Sequence, residues 1–550
     1  MPSIALLAPV VLPLLAAGIT TGFGLAGFNL SRLVVAVGAW AAVLALLVLW
    51  LPVRSTQELN LGQLGFGSAL QLRIDAVAFA FGLMVLVPAA LALTLQRRTW
   101  QEATVGALGL AAAMGAVEAG NVVLTALAGG TAATLAVVQL DTEDIRAPRP
   151  RWSMLLAAWL ALSWAGVILQ VRGGTAAYAA VPVSALTSSV FALIAFAGLM
   201  ASGLFPWRSW PAEVWARPSL RAAGLVVATL YPLGFYLLVR AYEIGGGRYP
   251  QVAFNAVLAS WGVVVALGAA ARAQSAATRR EFLGEVIPGL GGFALMTVAL
   301  GTPLGLVAGL IALIAAAAMT ACLLLLPDRF GPASLVAIAA AVGLPPGLVF
   351  GARIVGIEST FEAGDFYGLI GVAGGVTWVL WMVAGARAIG LPAGRGRPSN
   401  ETFPRVAMTV AALTLAAGPA LAVIQSALAN PAQGDVMPLP AGTLGGGLTS
   451  VVTVSTVLPA LALFVPLLII AVLAYGAAST AFIRTQPRPP LFTLPGAGAV
   501  SRIRQVVAQA TVPEQYRSLL NPALLEDAAA GGKPLLWLGS LAALAFAVTR

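Results

Sequence analysis

The dominant pattern in this sequence is a succession of apolar runs about 20 residues long, separated by short stretches rich in Arg, Pro, Gly and Asp. A membrane-spanning helix needs about 20 consecutive apolar residues, and charged residues mark its ends. The pattern therefore predicts an all-α polytopic membrane protein with about 16 transmembrane helices. The predicted spans are 3–27, 33–53, 74–96, 103–119, 121–140, 153–171, 183–205, 222–240, 250–271, 284–301, 303–326, 333–353, 366–386, 406–427, 452–477 and 535–549.

The loop charges predict the orientation of these spans. Most of the 30 cationic residues fall in loops after odd-numbered spans, and Arg240 falls at the end of the eighth span. Because cytoplasmic loops carry an excess of Lys and Arg, the odd loops are expected to face the cytoplasm. Both termini then lie on the other side, and the N-terminal apolar run is expected to be a retained helix. The predicted location is a bacterial inner membrane, with the N-terminus on the periplasmic side.

One long polar interruption, residues 478–534, divides the C-terminal part of the chain. It is Pro-rich at first and then amphipathic, which is typical of helices lying along a membrane surface. An ordinary cytoplasmic loop with two short helices is the alternative. The predicted organisation is a transmembrane core of about 14 helices (1–430), a fifteenth span with its preceding loop (431–477), a cytoplasmic amphipathic lateral segment (478–534) and a terminal transmembrane helix (535–550).

Composition narrows the possible functions. The chain is 60% hydrophobic and 9% charged with a mean hydropathy of +0.94, which excludes a soluble enzyme, a nucleic-acid-binding module and a disordered chain. One cysteine, Cys322, and no histidine cannot supply a disulfide framework, an iron–sulfur cluster or haem ligands. We therefore expect no cofactor and no metal site. The net charge of +10 reflects loop arginines, so we expect the lipid bilayer as a partner and no nucleic acid.

Three stretches carry motifs that the apolar pattern alone does not explain. The third span opens with LRIDAVAF at Leu72–Phe79, and Gly198–Leu238 combines a Pro- and Trp-rich loop with the ending GFYLL. The third stretch, Gly343–Arg353, reads GLPPGLVFGAR. Its double proline, Pro345 and Pro346, must interrupt the helical hydrogen bonds at membrane depth.

These stretches resemble the antiporter-like membrane subunits of respiratory complex I, membrane-bound hydrogenases and Mrp-type cation/proton antiporters. The chain looks like a divergent member, most similar to the long distal subunit that has a lateral helix. The resemblance implies inverted repeats of five helices, with the seventh helix broken near Pro206 and the twelfth at Pro345–Pro346. It also implies other membrane-arm subunits as partners.

The same resemblance implies a proton relay of buried ionisable residues, and this chain lacks most of it. The family's glutamate on the fifth helix falls on Gly130, the lysine on the seventh on Ala201, and the two eighth-helix positions on Val226 and Pro232. The twelfth helix keeps a cation as Arg353, but arginine does not release its proton in proteins. The region enclosed by spans five, seven and eight is therefore expected to be dry and tightly packed.

The remaining ion-path candidates are few. They are Arg353, which could instead extend to the membrane interface, Arg208 in place of a family histidine, Glu118 and Glu213. Because Glu118 and Asp75 lie near predicted helix ends, where water is expected to solvate them, structural roles are favoured for both.

The function favoured by these observations is a membrane-arm subunit of a complex I-like (NADH:quinone oxidoreductase-type) or hydrogenase-type respiratory complex. Its own proton channel is expected to be degenerate and its role mainly structural, so it is not itself expected to catalyse a reaction. One alternative is an active H⁺ or Na⁺/H⁺ translocating subunit or antiporter that uses non-standard residues. The other is an unrelated solute permease.

Overall fold

The computed structural model of the protein describes residues 4–28, 31–63, 69–95, 99–143, 152–204, 210–215, 222–325, 332–345, 347–392 and 421–437, with three single positions beyond them. Pro206, Arg208, Pro346, the fifteenth span, the amphipathic segment 478–534 and the terminal span 535–549 lie outside the described residues.

The described residues are predominantly helical, as the apolar pattern predicts. The first helices are α1 Ala8–Leu25, α2 Ser31–Trp50, α3 Ala76–Leu95, α4 Trp100–Val117, α5 Val122–Glu143, α6 Trp152–Gly173, α7 Ser188–Ala201, α8 Trp210–Trp215 and α9 Ala223–Ile244. They are followed by α10 Val252–Ser275, α11 Arg279–Gly284, α12 Val286–Val298, α13 Pro303–Leu325, α14 Pro332–Val342, α15 Leu348–Glu362, α16 Asp365–Ala388, α17 Leu421–Ile424 and α18 Asn430–Val436. A π-helical turn, Gln425–Ala429, joins the last two.

Ten helices of the described part are long and apolar enough to cross a membrane, so the protein is a multi-pass membrane protein. Helix α9 is enclosed by protein along its whole length, whereas α1 and α2 expose most of their surface. The central position of α9 decides which charges can be tolerated on it, since a charge there must be neutralised by other protein groups.

Among the described residues, the helices at the predicted seventh and twelfth spans are each interrupted. Helix α7 ends at Ala201, and the short helix α8 begins at Trp210. Helix α14 ends at Val342, and α15 resumes at Leu348 after a turn in which Gly343 adopts a φ of 76°. Glycine suits this turn because other residues are strained in the left-handed region. The chain therefore has the broken helices expected for an antiporter-like fold.

A short β-hairpin between α2 and α3 is a minor addition to the predicted helical fold, which the described residues confirm. Strands β1 (Gln57–Gln63) and β2 (Ala69–Ile74) pair antiparallel, and Leu72 of β2 forms a further bridge to Ala119 after α4. The apolar pattern treated this stretch as a loop because the strands are short and mostly polar. The name hairpin end is used below for the end of the helix bundle that carries it.

Small residues allow the helices to approach closely. A Cβ atom on Gly262 of α10 would lie 2.7 Å from the carbonyl oxygen of Gly292 on α12, and a Cβ on Gly292 would lie 2.7 Å from the carbonyl of Gly262. On α5, the ring of Trp159 from α6 occupies the space beside Gly129 and Gly130. Such contacts replace the hydrophobic effect as the packing force between helices in lipid.

Candidate functional site

Four buried charges meet at the hairpin end and form what is called here the charge cluster: Arg73, Asp75, Arg240 and Glu243. Arg240 donates from Nη1 to Asp75 Oδ2 at 2.7 Å and from Nη2 to Asp75 Oδ1 at 2.9 Å. Its Nη1 also donates to Glu243 Oε2 at 2.6 Å. Arg73 donates from Nη1 to Glu243 Oε1, and its Nε lies 3.1 Å from Asp75 Oδ2.

The fold brings the cluster together from three elements. Arg73 is the second-last residue of β2, and Asp75 occupies the junction between β2 and α3, where its Oδ1 accepts the N–H of Ala78 at 2.8 Å. Arg240 and Glu243 lie three positions apart on the last turns of α9, on one face of the helix. The cluster therefore joins the hairpin, α3 and the central helix.

The four charges of the cluster balance as two cations and two anions, and the half-exposed Glu58 of β1 lies at the rim, with its Oε1 3.8 Å from Nε of Arg73. Burial alone would raise the pKa of Asp75, but the Arg240 guanidinium, supported by Arg73, outweighs burial and holds this pKa below its ordinary value. The rings of Tyr236 and Tyr178 lie 5.0 and 5.2 Å from the Arg240 guanidinium carbon and add cation–π contacts. The arrangement is suited to holding charges in place, because each charge has an opposite partner.

Asp75 and Arg240 correct the sequence interpretation. The apolar pattern placed Arg240 at the end of the eighth span and Asp75 at a solvated helix end, whereas both are almost fully buried. Helix α9 continues to Ile244, beyond the predicted end of the span, because Glu243 and the cluster neutralise its arginine. The signal in the sequence was the opposite charges of Arg240 and Glu243 at helical spacing.

Glu118 was also expected to be solvated by water, but the structure buries it. It follows α4, is fully buried, and both of its carboxylate oxygens lack a hydrogen-bond partner. Its backbone carbonyl accepts the N–H of Arg73, and the hydroxyl of Tyr236 donates to the neighbouring Val117 carbonyl at 2.8 Å. Burial raises the pKa of Glu118 well above its ordinary range, so its protonated form is favoured.

Arg353 lies in the broken twelfth helix and is buried rather than extended to an interface. It donates from Nη1 to the carbonyl oxygen of Val342 at 2.9 Å, and its guanidinium carbon lies 5.9 Å from the ring centre of Trp378. Trp378 donates from its ring nitrogen to the same carbonyl at 3.1 Å. Val342 ends α14, so Arg353 satisfies a carbonyl that the helix break leaves without its usual partner. No carboxylate lies within ion-pair distance of Arg353 in the described part of the chain.

The four positions that lack relay residues lie among packed helices. Gly130 contacts Trp159, and the carbonyl of the buried Ala201 accepts the ring N–H of Trp210 at 3.1 Å. Val226 is fully buried within α9. Pro232 borders a cavity of about 10 Å³ between α3, α9 and α13, which is room for about one water molecule.

The remaining candidates do not gather into one site. Glu213 is partly buried on α8, at the end of the bundle away from the hairpin, whereas Glu118 lies at the hairpin end and Arg353 at the helix break. The described residues also contain no group of three or more His, Cys, Asp or Glu side chains arranged to hold a metal ion.

Solved structures share this fold. The chain superposes on a chain of the Mrp complex from a Dietzia species with a TM-score of 0.68 at 20% identity, covering 94% of this chain and 62% of that one. It superposes on a chain of respiratory complex I from Thermus thermophilus with a TM-score of 0.65 at 18% identity, covering 78% of this chain and 99% of that one. A chain of the archaeal membrane-bound sulfane sulfur reductase gives 0.67 at 16% identity, covering 98% and 99%.

These neighbours are all antiporter-like membrane subunits, so the protein has the antiporter-like fold, and the sequence resemblance is confirmed at the level of the fold. The chain spans about 62% of the length of the Mrp chain. Neither a family model nor a curated protein matches the sequence.

Proposed function

We propose that the chain is a membrane-arm subunit of a complex I-like or hydrogenase-type respiratory assembly, with a degenerate ion channel and a mainly structural role. The observation that carries the proposal is the environment of Arg353, the one cation kept from the family relay. It is bonded to a backbone carbonyl at the helix break and cannot release its proton. The apolar side chains at the other relay positions support the same conclusion, because a proton cannot hop across a dry apolar gap.

In such an assembly, the hairpin end would lie on the periplasmic side of a bacterial inner membrane. This orientation is the one that the distribution of Lys and Arg among the loops favours. The exposed apolar faces of α1 and α2 are consistent with contact to lipid or to neighbouring subunits. The subunit would hold the arm together while sister subunits move ions. A tagged chain purified from native membranes should co-purify with other polytopic membrane subunits and with redox subunits. Isolation of the chain alone would favour an independent permease.

A structural role for Arg353 makes a direct prediction. Replacing Arg353 with Met should lower the thermal stability of the assembly, because it removes a charged hydrogen bond to a buried carbonyl worth about 1.5–3 kcal/mol. Redox-driven ion translocation per turnover should stay unchanged. Arg172→Met, at an exposed arginine near the end of α6, is the matched control and should alter neither property. Loss of translocation in an intact Arg353→Met assembly would contradict the proposal.

Glu118 favours one competing function, an ion-translocating subunit that uses non-standard residues. A buried carboxyl without a partner is costly in its ionised form, so such residues are often kept for proton transfer. If the chain translocates ions, Glu118→Gln should abolish pH-gradient-driven flux in proteoliposomes, while the exposed control Glu362→Gln retains it. Our proposal expects no difference between these variants and the native chain.

A further inference from the structure

A small cavity lies between α3, α9 and α13, in the interior of the helix bundle. Its volume is about 10 Å³, which is room for about one water molecule. All of the residues that line it are buried except Ala317, which is partly buried. Protein therefore separates the cavity from lipid and from bulk water, and any molecule inside it must be matched by the groups in its walls.

Two of the lining residues are prolines inside spanning helices, Pro88 in α3 and Pro232 in α9. Proline has no backbone N–H, so it leaves the helix carbonyl four residues earlier without its usual donor. These carbonyls belong to Met84 and Ala228, and both residues also line the cavity. Two separate interruptions of helical hydrogen bonding therefore meet at one small space.

Side chains do not replace the donors that these two prolines remove. Close by on α9, the hydroxyl of Ser202 donates to the carbonyl of Tyr231 at 2.7 Å, which shows how a side chain can satisfy the backbone here. In the described part of the chain, no side chain donates to the carbonyl of Met84 or of Ala228. Such a group is costly at membrane depth, where bulk water cannot reach it.

The third helix of the cavity contributes a hydroxyl, that of Thr320 on α13. It donates to the carbonyl of Ala316 at 2.9 Å, one turn earlier in the same helix. That carbonyl keeps its helical donor if the hydroxyl turns toward the cavity. The other hydroxyl in the lining, that of Tyr231, donates to the carbonyl of Ile287 at 3.0 Å. Thr320 is therefore the side chain that can supply a third polar contact in the cavity.

We propose that the cavity binds a single water molecule, which donates its two protons to the carbonyls of Met84 and Ala228 and contacts the hydroxyl of Thr320. A buried water typically makes about three hydrogen bonds to groups that would otherwise be unsatisfied, and the cavity offers that number. The two donors of water also match the two carbonyl acceptors. This water links α3, α9 and α13 at the points where prolines interrupt two of these helices.

Water suits this cavity better than a monovalent cation such as Na⁺. The described residues that line the cavity include no carboxylate, so a cation would give up its hydration shell without gaining a countercharge. The water site requires neither ion conduction nor membership of a respiratory assembly, so it stands or falls independently of the proposed function. A single water with no ionisable neighbour in the lining satisfies the backbone and does not continue a proton relay.

The test is an experimental density map of the full chain in lipid, at a resolution that shows ordered waters. We expect one peak within hydrogen-bond distance of both carbonyl oxygens, and the same peak in KCl and in NaCl. Pro88→Ala combined with Pro232→Ala returns an N–H to each carbonyl, favours the helix, and should abolish the peak. Pro13→Ala, at a buried proline inside α1, is the matched control and should leave the peak unchanged.

A second pair of variants tests the site without changing a proline. Thr320→Val keeps the shape of the side chain but removes its hydroxyl, so the peak should weaken or disappear. Thr320→Ser keeps the hydroxyl and should retain the peak. A native chain without the peak, a peak that survives in the double proline variant, or a peak that is present only in NaCl would overturn the proposal. Equal peaks in Thr320→Val and Thr320→Ser would remove Thr320 from the site.

Discussion

Replacing Arg240 with Met should lower the free energy of unfolding by about 3–5 kcal/mol, the usual cost of removing one partner from a buried ion pair. The variant leaves Asp75 with only Arg73 and removes the bidentate bond that joins α3 to the central helix. Desolvated carboxylates without cations are far more costly than a lost contact between neutral groups. The loss can be measured as unfolding in bicelles or as the temperature at which the detergent-solubilised chain stops eluting as a single species.

A charge-balanced variant separates this effect from simple loss of packing. Arg240→Gln combined with Asp75→Asn removes one cation and one anion and leaves the Arg73–Glu243 pair intact. It should be more stable than Arg240→Gln alone. Arg172→Met, at an exposed arginine near the same end of the bundle, should have little effect. Equal losses in Arg240→Gln and the double variant would mean that burial of unpaired charge is not the cause.

Replacing Gly292 with Val should separate α10 from α12 and destabilise the chain by about 3 kcal/mol or more, since an added side chain meets backbone that cannot rotate away. The relevant atoms are the carbonyl of Gly262, 2.7 Å from the added Cβ, and the amide of Ala266. When it is heated, the detergent-solubilised Gly292→Val variant should aggregate at a lower temperature than the native chain.

Gly18 provides the matched control, because it also lies within a spanning helix but has no atom within 4 Å of an added Cβ. Gly18→Ala should be neutral or slightly stabilising, in keeping with the higher helix propensity of alanine. Gly262→Val should resemble Gly292→Val, since the two glycines contact each other. A stable Gly292→Val chain would mean that α10 and α12 are not held at this distance.

Much of the fold could be predicted from the sequence because lipid imposes a simple rule. Each apolar run must form a helix, because a helix makes its backbone hydrogen bonds internally. The helical crossings therefore followed from the apolar pattern, and the interruption at Gly343–Pro345 followed from the prolines. The hairpin was missed because β1 and β2 are short, and their polar residues look like a loop. Nothing in the apolar pattern specifies strand pairing.

The charge cluster could not be predicted, since its members are far apart in the sequence. Asp75 and Arg240 are separated by 165 residues, and either alone looks like an ordinary charge at a helix end. Their burial depends on α9 being the central helix, which is a property of the three-dimensional packing. The role of Arg353 was likewise open, because its partner is a backbone carbonyl rather than another side chain.

The order of the cluster's residues along the chain also has a consequence for biogenesis. Arg73 and Asp75 are synthesised well before Arg240. When α9 leaves the ribosome, Asp75, the carboxylate that pairs with Arg240, has therefore already been synthesised with the start of α3. Helix α9 can therefore enter the bilayer as part of a neutral pair rather than as a bare cation. Asp435, whose Oδ2 accepts the backbone N–H of Ala76, is synthesised 359 residues after it, which makes this contact one of the late steps of assembly. A nascent chain truncated before residue 421 would already hold the four-charge cluster but not this contact.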